Sequence, residues 1–121
     1  MTNAAALHRI EIEPNHHRLR VIHGGITIAD TSRGVTLRET GLPDVFYFPR
    51  EDVNMSRLQR SDTTSHCPYK GDASYFNLLT EEDGPVVDAA WSYEAPLPGA
   101  EAITGCLAFY SSRVDRIDQT S

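Results

Sequence analysis

The stretch HRLRVIHGGITIAD, residues 17–30, decides the fold class of this chain. Leu19 and Val21 alternate with two arginines, and this period of two is typical of a β-strand with one buried face. Gly24-Gly25 follows and leads into a second apolar and polar run, which is the pattern of a two-residue hairpin turn. The stretch therefore predicts an antiparallel hairpin.

Strand patterns continue on both sides of this hairpin. The residues Pro49 to Asp52 end the first group, and Asp52 or Asn54 could cap a short helix that runs to about Leu58. We expect a loop over 60–71, a hairpin connection over 80–85 and fraying after Val114. Strands are predicted over 8–13, 17–23, 26–30, 35–39, 45–48, 73–79, 86–93 and 105–110, the first five as an antiparallel meander.

Length and pattern together predict one domain over 1–121, with a core over about 7–114. The fold class is mainly β: a single small antiparallel domain, barrel-like or made of two sheets, with one short helix. A chain of 121 residues can bury one hydrophobic core without disulfides or a structural metal.

Charge and composition exclude several classes of protein. The net charge of −6 argues against binding to nucleic acid or to an anionic membrane, because such binding depends on neutralising phosphates. No apolar run approaches the length of a membrane span, and Met1 to Ala6 lacks the pattern of a signal peptide. We therefore expect a cytoplasmic protein in which Cys67 and Cys106 are reduced thiols.

The motif Ser65-His66-Cys67-Pro68-Tyr69-Lys70-Gly71 is the strongest candidate for a site. Cys67 could act as a nucleophile if His66 or Lys70 stabilised its thiolate, but a buried structural cysteine is the more common situation. Lys70 is the only lysine of the chain and needs an anionic partner, either a ligand or a carboxylate such as Glu51 or Asp52. We name Cys67 and Lys70 as candidate catalytic residues.

Arg50 and the aromatic residues extend the candidate site. Arg50 follows an aromatic strand and has the geometry to bind a carboxylate or phosphate, and its alternative is a pair with Glu51, Asp52 or Asp62. Trp91 and Tyr93 share a face of a predicted strand, either as core or as the wall of a pocket. The predicted ligand-binding residues are Arg50, His66, Tyr69, Lys70, Trp91 and Tyr93.

The sequence gives little support for a metal site or for nucleotidyl transfer. The five histidines and two cysteines lack the spacing of a structural zinc site, so we predict no metal and no cofactor. Nucleotidyl transfer needs a phosphate-binding loop and paired carboxylates, and Gly24-Gly25 is a hairpin turn instead. Asp30 and Glu39 are better explained by ion pairs with Arg33 or Arg38.

Four motifs in order resemble one family. They are Phe46 to Val53, Cys67 to Tyr75, Trp91-Ser92-Tyr93 and Ala108-Phe109-Tyr110. The pattern is similar to the bacterial and fungal family called domain of unknown function four-two-seven, sometimes labelled nucleotidyltransferase-like. The resemblance covers nearly the whole chain and implies a small, mainly β domain, and it implies no reaction.

Three hypotheses about function follow. The first is a module that binds a small anionic or polar metabolite at a pocket around Ser65 to Gly71. The second is a small enzyme that uses Cys67, or Lys70 with a neighbouring acid or base. The third is an interaction domain that forms a homodimer through an edge strand.

Overall fold

The computed structural model describes residues 8–81 and 83–120, and these form a mainly β, antiparallel fold. The predicted fold class is thereby confirmed, with the strands divided among three sheets and with no closed barrel in the described part of the chain. The strands are β1 (Ile10–Asn15), β2 (Arg18–His23), β3 (Ile26–Thr31), β4 (Gly34–Glu39), β5 (Val45–Tyr47), β6 (Leu58–Cys67), β7 (Gly71–Leu78), β8 (Val86–Ser92), β9 (Ala108–Phe109) and β10 (Arg116–Thr120).

The hairpin of β2 and β3 forms as predicted. Gly24 and Gly25 have φ values of +59° and +74°, the left-handed backbone that the two central residues of a type I′ turn require. Leu19 and Val21 are fully buried, as their alternation indicates.

The prediction of a meander was wrong. β1 pairs with β4, and β4 pairs with β5, while β2 and β3 form a separate sheet with β10. The two groups of strands bury their apolar side chains in different clusters. Leu19 and Val21 belong to one cluster and Leu37 to the other, so β3 and β4 part at the turn between them.

Helical structure is limited to short 3₁₀ turns in the described residues. The single helix expected after Asp52 is replaced by two such turns, Arg50–Asp52 and Met55–Arg57, and a third covers Glu101–Ile103. Val53 separates the first two because it forms a β-bridge with Ala29. No helix of the described part is long and apolar enough to cross a membrane.

Two predicted irregular segments are strands. Residues 60–67, expected to be loop, belong to the ten-residue strand β6, and the chain after Val114, expected to fray, pairs with β2 as β10. β6 lies at the edge of its sheet and is exposed along most of its length. Polar side chains therefore suit both of its faces, and it shows no apolar alternation.

The sheet of β6, β7, β8 and β9 lies between two hydrophobic clusters. One face carries Phe76 and packs against Leu19 and Ile28 of the β2–β3 hairpin. The other carries Ala73 and packs against Leu37 and residues of β1, β4 and β5. Neighbouring residues of a strand point to opposite faces, so this sheet separates the side chains of the candidate site.

Candidate functional site

The motif from Ser65 to Gly71 is the end of β6, a tight turn and the start of β7. Cys67 pairs with Gly71 and His66 with Asp72, so the imidazole and the thiol lie on opposite faces of the sheet. His66 Nδ1 lies 2.7 Å from an Asp72 oxygen, and both side chains are exposed. Gly71 has a φ of +109°, a backbone conformation that residues with a side chain rarely adopt, which explains the glycine.

Lys70 lies in a nearly buried ion pair with Glu39. Its Nζ donates a hydrogen bond of 2.9 Å to Glu39 Oε1 and lies 5.6 Å from the centre of the Tyr93 ring. The second carboxylate oxygen of Glu39 is 3.2 Å from His8 Nε2, and the His8 ring stacks on Tyr69. The predicted partners Glu51 and Asp52 were wrong, because both carboxylates lie beside Arg33 instead.

An open cavity of about 490 Å³ lies beside the Lys70–Glu39 pair. We call it the aromatic cavity. Trp91 forms part of its wall, and the indole Nε1 donates a hydrogen bond of 3.1 Å to the Tyr47 hydroxyl. The Tyr110 ring lies 4.5 Å from the Trp91 ring, and 39% of Tyr110 is exposed. The wall also includes Leu37, Glu39, Leu42, Val45, Phe46, Lys70, Phe109 and Ile117.

The tyrosines of this region favour the protonated form. Burial raises the pKa of Tyr47, and it also raises the pKa of Tyr93. Burial, with the Tyr75 hydroxyl as a second cause, raises the pKa of Tyr110 to about 12. At neutral pH these hydroxyls are uncharged groups that donate or accept hydrogen bonds.

Arg50 lies on the opposite face of the sheet from Lys70. Arg50 Nη2 donates to Ser92 Oγ at 3.2 Å and to Glu94 Oε2 at 3.0 Å, and its Nε donates to the carbonyl of Gly105 at 2.9 Å. Arg60 binds both oxygens of the same carboxylate. Hydrogen bonds from Arg60, followed by that from Ser74, lower the pKa of Glu94 to about 2. The partners of Arg50 are therefore Ser92, Glu94 and Gly105, and not the predicted alternatives Glu51, Asp52 and Asp62.

The structure therefore brings together part of the predicted set. Lys70 and Trp91 line the aromatic cavity, and Tyr93 lies directly beneath Lys70. Cys67 is half-buried against the cluster that contains Tyr47 and Tyr93. Tyr69 lies outside the cavity, on His8, while His66 and Arg50 lie on the other face. The catalytic roles of Cys67 and Lys70 stay predictions.

Sequence reasoning missed two residues of this region. Glu39 was predicted to form an ion pair with Arg33 or Arg38. Arg38 instead binds Glu13 and Asp44, and Arg33 binds Glu51 and Asp52. Tyr110 was placed in a strand but not in the site. No local signal marks Glu39, because its partner is 31 residues away along the chain.

The described residues contain no group of three histidine, cysteine, aspartate or glutamate side chains that could hold a metal ion. Asp30 accepts two hydrogen bonds from Arg18, and Glu39 accepts one from Lys70. Asp30 and Glu39 therefore do not form a common acidic pair. The polar groups of the site thus include one buried ion pair, tyrosine hydroxyls, an indole and the side chains of Asp44 and Ser111, which suit binding by shape and hydrogen bonds.

Comparison with known families agrees with the sequence motifs. A model of the family described as "Domain of unknown function (DUF427)" matches residues 11–120. A search of curated proteins finds no match. The resemblance inferred from the four motifs is thereby confirmed.

Proposed function

The chain belongs to the DUF427 family, and we propose that this member is a binding module for a small, uncharged molecule with an aromatic or other flat ring. The ligand would occupy the aromatic cavity, with its ring against Trp91 and Tyr110 and its polar group near Lys70 and Glu39. The observation that carries the proposal is an open aromatic wall beside a buried ion pair.

Size and lining support this proposal. Ligand pockets have volumes of about 300–1,000 Å³ and are mostly apolar, with a few polar groups that orient the ligand. The cavity of about 490 Å³ lies within this range. Leu42 is 58% exposed and Tyr110 39% exposed, although apolar side chains of this size favour burial. A ligand ring in the cavity would cover both.

Charge favours an uncharged ligand over the anionic metabolite of the sequence-based hypothesis. Glu39 already neutralises Lys70, and Glu94 is shared by Arg50 and Arg60. Among the described residues of the cavity wall Lys70 is the one cation, and both carboxylates of the wall already have a cationic partner, Lys70 for Glu39 and Arg38 for Asp44. An incoming anion would find no free positive charge among these residues and would have to displace an internal carboxylate.

The test uses Trp91, the only tryptophan of the chain. A ¹⁵N-labelled sample gives one indole N–H signal, which reports directly on the cavity. Benzyl alcohol, added as a probe, should shift this signal saturably at millimolar concentrations. Benzoate has the same ring with a negative charge and should bind more weakly. Since small fragments bind weakly, the saturation of the shift, rather than a tight Kd, is the criterion.

Two variants make this test specific. Tyr110→Ser opens the wall of the cavity and should weaken the benzyl alcohol response several-fold. Val87→Ser removes a side chain that is 56% exposed on the same strand as Trp91 but does not line the cavity, and it should leave the response unchanged. A linear, unsaturable shift in the parent protein, or an equal loss in both variants, would overturn the proposal.

A small enzyme is the second candidate, and one observation favours it. Lys70 and Glu39 line the cavity as a paired acid, the ammonium, and base, the carboxylate, which is where acid–base chemistry on a bound ligand would need them. The thiol version lacks His66 as its neighbouring base, because His66 lies on the other face of β6 from Cys67. Dimerisation through an edge strand stays a prediction, and the elution volume of dilute protein tests it.

A further inference from the structure

A second, polar cleft adjoins the aromatic cavity. It has a volume of about 590 Å³, and Phe46 and Asp44 line both it and the aromatic cavity. On β10, Ile117 lines the aromatic cavity and Gln119, two residues further on the same strand face, lines the cleft. The two spaces are therefore parts of one groove between β5 and β10, apolar at one end and polar at the other.

The polar cleft is built on a buried asparagine that joins three strands. Asn15 donates hydrogen bonds to the Thr36 hydroxyl at 2.9 Å and to the Gln119 side-chain oxygen at 3.1 Å, and it accepts one from the backbone N–H of His17. These bonds hold β1, β4 and β10 at fixed positions and orient the amide of Gln119. The polar wall of the cleft is thus preorganised, which lowers the entropic cost of binding.

The charges of the cleft select against anions. Among the described residues that line it, Arg38 is the only arginine, and this side chain is shared between Glu13, at 2.8 Å, and Asp44, at 3.4 Å. Apart from two histidines, the ionisable side chains of this wall are one guanidinium and two carboxylates. Planar carboxylate, amide and guanidinium groups around a half-buried phenylalanine favour a neutral partner with several hydroxyl groups, since each group can donate to or accept from vicinal hydroxyls.

We propose that the ligand of the aromatic cavity carries a neutral, hydroxyl-rich group, such as a sugar or polyol, that lies over Phe46 in the polar cleft. This inference rests on the proposed function and names the chemical class of its ligand: an aromatic ring joined to a polyhydroxylated group. The ring occupies the apolar end of the groove. The hydroxyl groups exchange hydrogen bonds with Asp44, Arg38 and Gln119 at the polar end.

The experiment compares benzyl alcohol with benzyl β-D-glucopyranoside and benzyl β-D-galactopyranoside. At least one glycoside should bind with a Kd on the order of tenfold lower than that of benzyl alcohol, because it adds one or two hydrogen bonds at the polar end of the groove. The glycoside should shift the backbone signals of Arg38 and Gln119 together with the Trp91 indole signal. Benzyl alcohol should shift the indole signal alone.

Variants separate the two ends of the groove. Arg38→Met should reduce the affinity for the glycoside to that of benzyl alcohol and leave the affinity for benzyl alcohol unchanged. Arg18→Met is the matched control, because Arg18 is a similarly exposed arginine, bound to Asp30 outside the cleft. Gln119→Met, which removes another of the three proposed hydrogen-bonding side chains, repeats the test if Arg38→Met does not fold.

The outcomes distinguish this inference from the proposed function. Equal Kd values for benzyl alcohol and both glycosides, with only the indole signal shifted, would overturn the inference and leave the proposed function standing. Tighter binding of benzyl phosphate than of either glycoside would also overturn it, because the class would then be anionic. If no benzyl compound binds saturably, both proposals fail.

Discussion

The ammonium nitrogen of Lys70 lies 2.9 Å from Oε1 of Glu39, and the two side chains are only 13% and 8% exposed. A buried ion pair is costly to form, because two charges leave water, and still more costly to break, because the remaining charge has no partner. The pair therefore supplies the polar groups of the aromatic cavity, and the substitution of either residue should lower the stability of the fold.

A double-mutant cycle on this pair should show strong coupling. Glu39→Gln leaves the buried Lys70 charge with the Tyr93 ring as its remaining partner and should destabilise the fold by about 3–5 kcal/mol. Lys70→Met should cost less, because Glu39 keeps its contact with His8. Urea unfolding of both single variants and of the double variant measures the coupling. A double variant whose loss equals the sum of the two single losses would show that the pair is not buried as described.

The pairing of Lys70 with Glu39 could not be predicted from sequence. The sequence shows that a lone lysine in an apolar motif needs an anion, and this expectation is correct in kind. The choice of Glu51 or Asp52 followed from proximity along the chain, whereas β4 and the β6–β7 turn meet only through the arrangement of the sheets. Alternation specifies which residues of a strand share a face, but it does not specify which strand lies opposite.

Arg50 and Lys70 should behave as independent sites. Arg50 binds Ser92 and Lys70 lies over Tyr93, and these neighbours point to opposite faces of the sheet. The unfolding free energies of Arg50→Met and Lys70→Met should therefore add to within about 0.5 kcal/mol in the double variant. A coupling energy well above that value would instead support the sequence-based hypothesis of one site containing both cations.

The reach of local sequence patterns explains why some elements were predicted correctly and others were not. The β2–β3 hairpin depends on a local turn and a one-sided strand, so residues 17–30 contain all the information it needs. β6 is exposed on both faces near the edge of its sheet, and its run of serine, threonine and aspartate resembles a loop. β10 is stabilised by pairing with β2, almost a hundred residues earlier, which no local pattern reveals.

Glu94 should contribute to the acid sensitivity of the fold. Its pKa of about 2 lies below the ordinary value of about 4.3, so its stabilising effect is complete above the ordinary pKa and is lost as the pH falls from there towards 2. Glu94 is 36% exposed, and we therefore discount the effect to about 1 kcal/mol. The difference in unfolding free energy between parent and Glu94→Gln should shrink by this amount between about pH 6 and pH 3.

The control for this measurement is Glu81→Gln. Glu81 is a carboxylate bound to one arginine, Arg57, and 70% exposed. The prediction for Glu94 is wrong if the difference between parent and Glu94→Gln is the same at both pH values. It is also wrong if Glu81→Gln reproduces the effect, because the shared guanidinium groups would then not be its cause.

Cys106 should react slowly with alkylating reagents in the folded protein. Burial raises the pKa of its thiol, and Glu51 contributes in the same direction, so less of the reactive thiolate is present near neutral pH. Iodoacetamide labelling at about pH 7.5 should be several-fold slower than in the urea-unfolded chain. Trypsin cleaves after Lys70 and separates the two cysteines, so mass spectrometry measures each rate in the same sample. Equal rates in folded and unfolded protein would contradict the burial of this thiol.

Tyr47 should position the indole of Trp91. The Tyr47 hydroxyl accepts the indole hydrogen bond, and the rest of Tyr47 is buried in the hydrophobic cluster that contains Leu37. Tyr47→Phe removes the acceptor while it keeps the ring, so it should destabilise the fold by about 0.5–1.5 kcal/mol, the net contribution of one partly buried hydrogen bond. The indole N–H signal should move upfield and exchange faster with solvent. Since Trp91 forms the wall of the cavity, the affinity for benzyl alcohol should fall with it.

The control for this variant is Tyr75→Phe. Tyr75 lies on the same sheet face and pairs with Trp91 across the strands, and its hydroxyl lies 2.9 Å from Ser65 Oγ. Tyr75→Phe therefore removes a tyrosine hydroxyl next to the indole but keeps the Tyr47 hydroxyl, which accepts the indole hydrogen bond. An indole signal that moves equally in both variants would mean that Tyr47 does not hold Trp91 in place. A signal that moves only in Tyr47→Phe, with a parallel loss of benzyl alcohol binding, would tie the orientation of the cavity wall to this single hydrogen bond.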